Sequence, residues 1–341
     1  MKNYHNAPRQ GECPVCCARD AHLLWETDSR QAAQHFVLKE KHPERFLELV
    51  AHIEALWGQN TCEIVQCDNC GFCHSHPYVA GDERFYRIAY DRPGGYPAWK
   101  WEFQLTYEEL AKRGGPDQKL LEIGAGDGAF IKRISPDILA KDNILCTEFS
   151  EYGRHRIQAL GVECSASDVR DLSEAGLENN FDFVCMFQVL EHMDRLDLLF
   201  SKLIWLIRKG GSLFIAVPNP ARIQFNELNG ALLDMPPNHI GRWNRKCFEE
   251  IGKQNGFHLQ DFRIETPRMT SVARQFVVYR FLRAAQRSGS LQNRIEAIGN
   301  RGLLWTMRLA GVAVTSIAAI PALIKTDSGM GDSLWVHLIK A

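Results

Sequence analysis

A net charge of −1 over 341 residues leaves this chain without the basic excess that binding a phosphate backbone calls for, so no nucleic-acid partner is expected. No internal repeat or low-complexity stretch is visible, and the length suffices for one large domain with appendages or for two. Residues 1–12 are polar and offer no apolar leader. Together with eleven cysteines this sets the expectation of a reducing cytoplasm, with thiols free or metal-bound and disulfides absent. Acidic residues are nearly missing from one region: between Thr266 and Ile324 only Glu296 stands against Arg268, Arg274, Arg280, Arg283, Arg287, Arg294, Arg301 and Arg308. Within it Leu303–Ile324 is apolar but interrupted by Arg308 and Pro321, and falls short of the clean run of about 20 residues that a spanning helix needs.

The most informative segment that is present runs from Leu120 to Gly128 (LLEIGAGDG). An apolar strand enters a turn with glycine at alternate positions, which lets the backbone bend sharply and approach a ligand closely. The spacing is G-x-G-x-G, and Glu122 lies two residues before the first glycine, where a pyrophosphate would meet a negative charge. A cationic or zwitterionic ligand fits better. A second strand, Asn143–Thr147, ends at Glu148, twenty residues past Gly128, where a carboxylate can accept both hydroxyls of a ribose. Asp168 sits in a polar turn able to meet an adenine amino group. Phe181–Phe187 reads as a buried strand leading into Gln188, Val189, Leu190, Glu191 and His192. Arg208–Gly211 are expected to close the next helix, and Ser212–Val217 to form a fifth strand.

From about residue 117 to 265, these motifs in this order resemble the class I S-adenosylmethionine-dependent methyltransferases, particularly the branch with an "LEH" segment after the fourth strand. The matching stretches are LLEIGAGDG (120–128), TEFS (147–150), FDFVCMFQVLEHM (181–193) and RKGGSLFIAVPN (208–219). The resemblance implies an α/β fold with a doubly wound, Rossmann-like seven-stranded sheet. It places Glu122, Gly124, Gly126 and Gly128 along the methionine part of S-adenosylmethionine, Glu148 at the ribose, Asp168 at the adenine and Gln188 at the far wall. Ala125, Phe149 and Val169 adjoin these positions as further cofactor contacts.

Cys13-Pro-Val-Cys16 and Cys67-Asp-Asn-Cys70-Gly71 are two C-x-x-C pairs, the pattern that sets four thiolates tetrahedrally on zinc. Four thiolates leave no position for water, so a structural role is expected. Cys17, Cys62, Cys73, His74 and His76 crowd the same region, and Cys73 stays open as a substitute ligand; unpaired buried thiols are the alternative. Ser29–Trp57 is rich in helix formers and reads as a helical insertion. Residues 1–80 resemble the zinc-binding module of sugar- and polysaccharide-tailoring methyltransferases, although Cys17 stands where that module usually has glycine.

The linker between Ala80 and Phe103 carries Phe85, Tyr86, Tyr90, Tyr96, Trp99, Trp101 and Phe103, suited to stacking on sugar, holding a sulfonium, or fastening the two modules together. Methyl transfer to a hydroxyl needs alignment and removal of a proton. His192 and His239 follow the fourth and fifth strands, where ligands bind in such sheets, and are the candidate bases. Two structural roles stay open beside that one: His192 shaping the cofactor pocket through Glu191, and His239 anchoring its loop. The expected organisation is a zinc module (1–80), an aromatic linker (81–116), the S-adenosylmethionine-binding core (117–265), a basic and apolar helical insertion (266–331) and the final strand (332–341). The acceptor is expected to be a small molecule, foremost a sugar on a nucleotide or lipid carrier. A quinone-like lipophilic acceptor and a non-catalytic zinc-bearing scaffold are the alternatives. Residues 266–325 are open to a buried or homo-oligomer-forming helix, a peripheral contact on the inner face of the membrane, or a span.

Overall fold

The computed structural model describes residues 7–10, 12–90, 98–115, 117–135, 137–173, 176–285, 289–296, 298, 301–323 and 329–341. The chain opens with β1 (Ala7–Gln10) and β2 (Asp20–Asp28), followed by α1 (Ser29–Gln34) and α2 (Pro43–Trp57). Asp28 caps α1 by accepting from the Gln31 N–H, whereas α2 starts with Pro43, whose missing N–H costs nothing at that position, and stops at Gly58 in the left-handed region. The expected helical insertion is therefore two helices. Around them lie strands that the helical reading of this module did not include: β3 (Thr61–Cys67) and β4 (Cys73–His76) extend β1–β2 into an antiparallel sheet. Alternation in β2 turns Leu23, Trp25 and Thr27 inward, and Trp25 packs with Leu49, Ile53, Ile64 and Phe85 into a core separate from that of the second sheet.

α3 (Glu83–Ala89), capped by Asp82, and α4 (Trp101–Arg113) carry the chain onto the second sheet. Phe85 of the aromatic linker is buried in the first core, and Phe103 and Trp99 pack against Phe130 in the second. Tyr96 and the Pro93–Pro97 stretch lie outside the described residues.

The second sheet contains β5 (Leu120–Ile123), β6 (Ile144–Thr147), β7 (Glu163–Ser165), β8 (Phe181–Phe187), β9 (Ile207–Pro218), β11 (Phe257–Ile264) and β12 (Ser333–Lys340), with a short β10 (Gly241–Arg242) between β9 and β11 in the chain. Its order is β11-β12-β9-β8-β5-β6-β7. Every neighbouring pair is parallel except those of β12, which runs antiparallel to both β9 and β11. Both faces are covered, so β5 and β8 are buried at every position, the continuous apolar pattern of a parallel strand. The covering helices include α4, α5 (Ala129–Ile134), α6 (Glu151–Ala159), α7 (Leu196–Leu206) and α9 (Arg245–Asn255), and α8 (Pro220–Leu228) follows β9. This is the expected mostly parallel seven-stranded α/β fold. One local expectation fails: α7 ends at Leu206, and Arg208–Gly211 belong to β9, where Gly210 at φ 75° accompanies a register shift against β8.

The two sheets are joined through β10. Gly241 and Arg242 pair with His74 and Cys73 of β4, so a segment that follows β9 in sequence closes the edge of the N-terminal sheet. Between β11 and β12 the chain forms α10 (Met269–Ala285), α11 (Leu291–Glu296) and α12 (Arg301–Leu323). α10 is tied to α8 by Arg222 to Gln275 (2.5 Å), Arg280 to Asn229 (3.0 Å) and Arg283 to the Leu228 carbonyl (2.7 Å). Leu303, Trp305, Met307 and Leu309 of α12 are exposed. Among the described residues, no helix is long and apolar enough to cross a membrane.

Candidate active site

The glycine turn begins where β5 ends. Gly124, Gly126 and Gly128 have φ of 68°, 57° and 78°, which only glycine adopts readily. At Gly124 a Cβ would also lie 2.5 Å from Val189 Cγ2. The Gly124 and Ala125 N–H groups donate to the Thr147 carbonyl at 2.9 and 3.0 Å, locking the turn onto the end of β6. One residue further, the Glu148 carboxylate accepts from the Gly126 N–H (2.9 Å) and the Ser150 N–H (2.8 Å), which holds it beside the turn. Phe149 is exposed and free to lie over a flat ring. Glu122 points from β5 into the interior, 2 % exposed, and its Oε2 has no hydrogen-bond partner. Burial pushes its pKa up to about 8; Lys100 opposes this, while Glu148 and Asp127 add to it. A buried carboxylate without a partner, beside a tight glycine turn, fits an ammonium group such as that of a methionine moiety.

The other expected cofactor residues are arranged differently. Asp168 does not present a free carboxylate: Arg170 holds it at 2.6 Å and bridges on to Asp194 at 3.2 Å. Burial and Arg170 act in opposite senses on Asp168, and the net shift is downward. Val169 is buried beneath it. Gln188 adopts φ 59° and donates through Nε2 to Glu102 Oε1 and Ser333 Oγ, both at 3.2 Å. Glu102, 3 % exposed on α4, and Lys100 before it had no signal in the sequence. Lys100 is nonetheless near enough to lower the pKa of both Glu122 and Glu191.

His192 and His239 come together. Their ring centroids are 4.6 Å apart at an interplanar angle of 76°. His192 Nδ1 donates to the Asn238 carbonyl (2.7 Å), and the Tyr86 hydroxyl lies 3.0 Å from the same nitrogen. His239 Nδ1 is 2.7 Å from Asp234 Oδ1. Since both partners are acceptors, each Nδ1 carries hydrogen and each Nε2 is left with a lone pair. Burial and the neighbouring His239 bring His192 down to about 3. For His239, burial lowers the pKa but the bond to Asp234 outweighs it, and the net direction is upward. Glu191, 1 % exposed, lies with Oε1 3.8 Å from His192 Nε2 and Oε2 unpartnered; burial brings it up to about 7. Asp234 escaped the sequence reading, and Tyr86, named there only among the linker aromatics, was not tied to His192, because neither shares a motif with the histidine it touches.

The N-terminal sheet supports this cluster. The Ser75 N–H donates to the Ile240 carbonyl, the Gly81 N–H to the Pro237 carbonyl (both 2.9 Å), and the Tyr78 hydroxyl to the Met193 carbonyl (3.1 Å). Arg242 makes a buried two-pronged pair with Glu227 at 2.9 and 2.7 Å and lies over Trp25. The sulfurs of Cys13, Cys16, Cys67 and Cys70 all lie within 4.8 Å of one another, with Cys13–Cys70 at 3.7 Å and Cys16–Cys67 at 3.5 Å. Zinc–sulfur bonds of about 2.3 Å in a tetrahedron require edges of about 3.8 Å, so the spacing fits a zinc site of four thiolates. Cys73 belongs instead to the Trp25 core. Cys17 sits at φ 59°, the conformation that glycine would adopt there more easily. Asn244 donates to the Cys70 and Gly71 carbonyls and Lys246 to that of Asn69, so the second cysteine turn is seated on the start of α9.

Residues 101–261 match the family model of a methyltransferase domain. No curated protein matches. Among solved structures, the chain is similar in fold to an S-adenosylmethionine-dependent methyltransferase from Mesorhizobium loti (12 % identity, TM-score 0.45, covering 72 % of this chain and 100 % of that one). A second is a methyltransferase from Archaeoglobus fulgidus (16 %, 0.43, 70 % and 94 %), and a third the geranyl diphosphate C-methyltransferase from Streptomyces coelicolor A3(2) (12 %, 0.42, 70 % and 79 %).

Proposed function

We propose that the protein is an S-adenosylmethionine-dependent methyltransferase acting on a small-molecule acceptor, foremost a hydroxyl or carbon of a sugar on a nucleotide or lipid carrier. The observation that carries the reading is the unpartnered, buried Glu122 at the end of β5, set against the positive-φ turn Gly124–Gly128 with Glu148 held beside it. In this assignment Glu122 takes the ammonium, Gly124–Gly128 the methionine backbone, Glu148 the ribose hydroxyls, and Phe149, Asp168, Val169 and Gln188 the remainder of the cofactor. The bound cofactor supplies a methyl group already activated by its sulfonium. What the chain adds is alignment and a place for the acceptor's proton. His239 is the better proton acceptor of the two histidines, because Asp234 stabilises its protonated form. His192, held neutral and hydrogen-bonded to Asn238 and Tyr86, orients the acceptor.

The four-cysteine group is assigned a structural zinc that keeps the first sheet, and through β10 the His239 loop, in place. The exposed apolar positions of α12 and the arginines of the 266–331 insertion suit a peripheral contact with an anionic membrane surface on the cytoplasmic side, near lipid-linked saccharides. Exposure of these side chains weighs against their lining a pocket for a quinone-like acceptor. Calorimetric titration with S-adenosylmethionine, its demethylated product and a nicotinamide dinucleotide tests the reading. The first two should bind, the third should not, and Glu148→Ala should abolish binding. With nucleotide sugars as acceptors, His239→Ala should lose about 10²- to 10⁴-fold in turnover while binding the cofactor normally. Folded protein that binds neither S-adenosylmethionine nor its product would overturn the proposal.

A further inference from the structure

The Glu191–His192–His239 cluster has a shape that proton transfer alone does not require. We infer that these three side chains form a divalent-cation site at the acceptor end of the fold, distinct from the cysteine group. Each offers a ligand atom, one ring nitrogen from each histidine and one carboxylate oxygen, and the three atoms lie within 4.8 Å of one another. Both imidazoles are fixed in the tautomer that a metal needs. His239 Nδ1 is tied to the Asp234 carboxylate and His192 Nδ1 to the Asn238 carbonyl, so each Nε2 keeps its lone pair, the carboxylate–histidine and carbonyl–histidine supports that commonly orient metal ligands. An independent observation points the same way. Glu191 is 1 % exposed and its Oε2 has no partner, in a protein interior where a carboxylate is normally paired or coordinating.

Around one ion, neighbouring nitrogen and oxygen ligands at about 2.1 Å stand about 3 Å apart. The 3.8 Å between His192 Nε2 and Glu191 Oε1 would therefore close by roughly an ångström, within the reach of side-chain torsion. Two imidazoles and one carboxylate favour a borderline ion such as Mn2+, Fe2+ or Co2+ over Mg2+ or Ca2+, which prefer all-oxygen shells. Three protein ligands leave open positions on one side. Two adjacent oxygens of the acceptor, as in a vicinal diol or a hydroxy acid, could fill them. The acceptor class drawn here rests on the methyltransferase reading; the metal site itself does not. With the ion bound, His239 would be a ligand and no longer the proton acceptor; an acceptor hydroxyl on the ion would be made more acidic by coordination and would release its proton to water.

The test titrates full-length protein, with its zinc content measured beforehand, with Mn2+ alone, followed calorimetrically and by the paramagnetic resonance of free Mn2+. One ion should bind per chain. Glu191→Gln, which keeps size and shape, and Asp234→Asn, which weakens the support of His239, should each weaken it by about 10- to 100-fold without releasing zinc. S-adenosylmethionine binding, measured on the same samples, separates this outcome from failure of the methyltransferase assignment. Absence of Mn2+ binding by folded wild-type protein, or equal binding by Glu191→Gln, would overturn the inference and leave the trio a proton-sharing cluster.

Discussion

Replacing Glu122 by glutamine should stabilise the free protein and cost it its cofactor. Burial raises the Glu122 pKa from 4.5 to about 8. A carboxyl whose folded pKa exceeds its unfolded value binds protons on folding, so stability declines as pH rises through the window from 4.5 to about 8 and stays low above it. At about 1.4 kcal/mol per pH unit, this linkage removes on the order of 3 kcal/mol of stability by pH 7 and on the order of 5 kcal/mol above pH 8, where the folded carboxyl is itself ionised. Glutamine keeps the shape and removes the charge but leaves an amide to satisfy, at about 1–3 kcal/mol. The net gain at pH 8 is then about 2 kcal/mol, or roughly 4–8 °C in melting temperature. At pH 5, where Glu122 is already protonated, the gain should vanish or reverse. The same substitution removes the counter-charge for an ammonium, a loss of about 1.5–3 kcal/mol, so S-adenosylmethionine affinity should fall at least about tenfold. Thermal melts of both proteins from pH 5 to 9, with and without S-adenosylmethionine, provide the assay. A variant that melts at or below wild type at pH 8, or that the ligand stabilises as much as wild type, would refute the reasoning.

Gly124→Ala should be poorly tolerated, because its φ is 68° and the new Cβ would lie 2.5 Å from Val189; a loss of about 2–3 kcal/mol in melting or denaturant unfolding is expected, with weakened cofactor binding, and adding Val189→Ala should recover part of the stability. Cys70→Ser should release zinc, measurable by metal analysis, and lower the melting temperature by on the order of 10 °C. Turnover should fall as well, since β4 holds β10 directly after His239; full activity in zinc-free protein would contradict that coupling. Full-length protein should float with anionic vesicles and not with zwitterionic ones, and Trp305→Ser with Leu309→Ser should reduce flotation; no binding to anionic vesicles at low salt would exclude the membrane contact.

The strands of the second sheet were legible because a parallel sheet covered on both faces must be apolar along its strands. Phe181–Phe187 appears with the bounds that its composition suggested. The glycine turn was legible for a related reason, as its positive φ angles are written in residue type. The end of α7 was misplaced because Arg208-Lys209-Gly210-Gly211 carries the marks of a helix terminus, and only pairing with β8 turns it into a bulged strand. In the first module the cysteine pairs and helix formers were visible, while β2 and β3 were not, their alternation being weak beside the helical signal of Ser29–Trp57.

By itself, the sequence determined the apolar strands around the glycine turn, the turn with Glu122 and Glu148 near it, and the two C-x-x-C pairs, features carried by local spacing and periodicity; the seven-stranded α/β core came from the resemblance of the motifs to a known family. Tertiary structure alone decided that Asp168 is held by Arg170, that Gln188 rests on Glu102 and Ser333, and that Glu191, His192 and His239 meet under the support of Asp234, Asn238 and Tyr86. It also decided that β10 joins the cysteine-bearing sheet to the histidine loop. Several of these contacts, such as Gln188 with Glu102 and Ser333, or His192 with Asn238 and Tyr86, link residues on separate elements distant in the chain. Packing and hydrogen-bond satisfaction choose such partners only once the whole chain has folded, and no local periodicity records the choice.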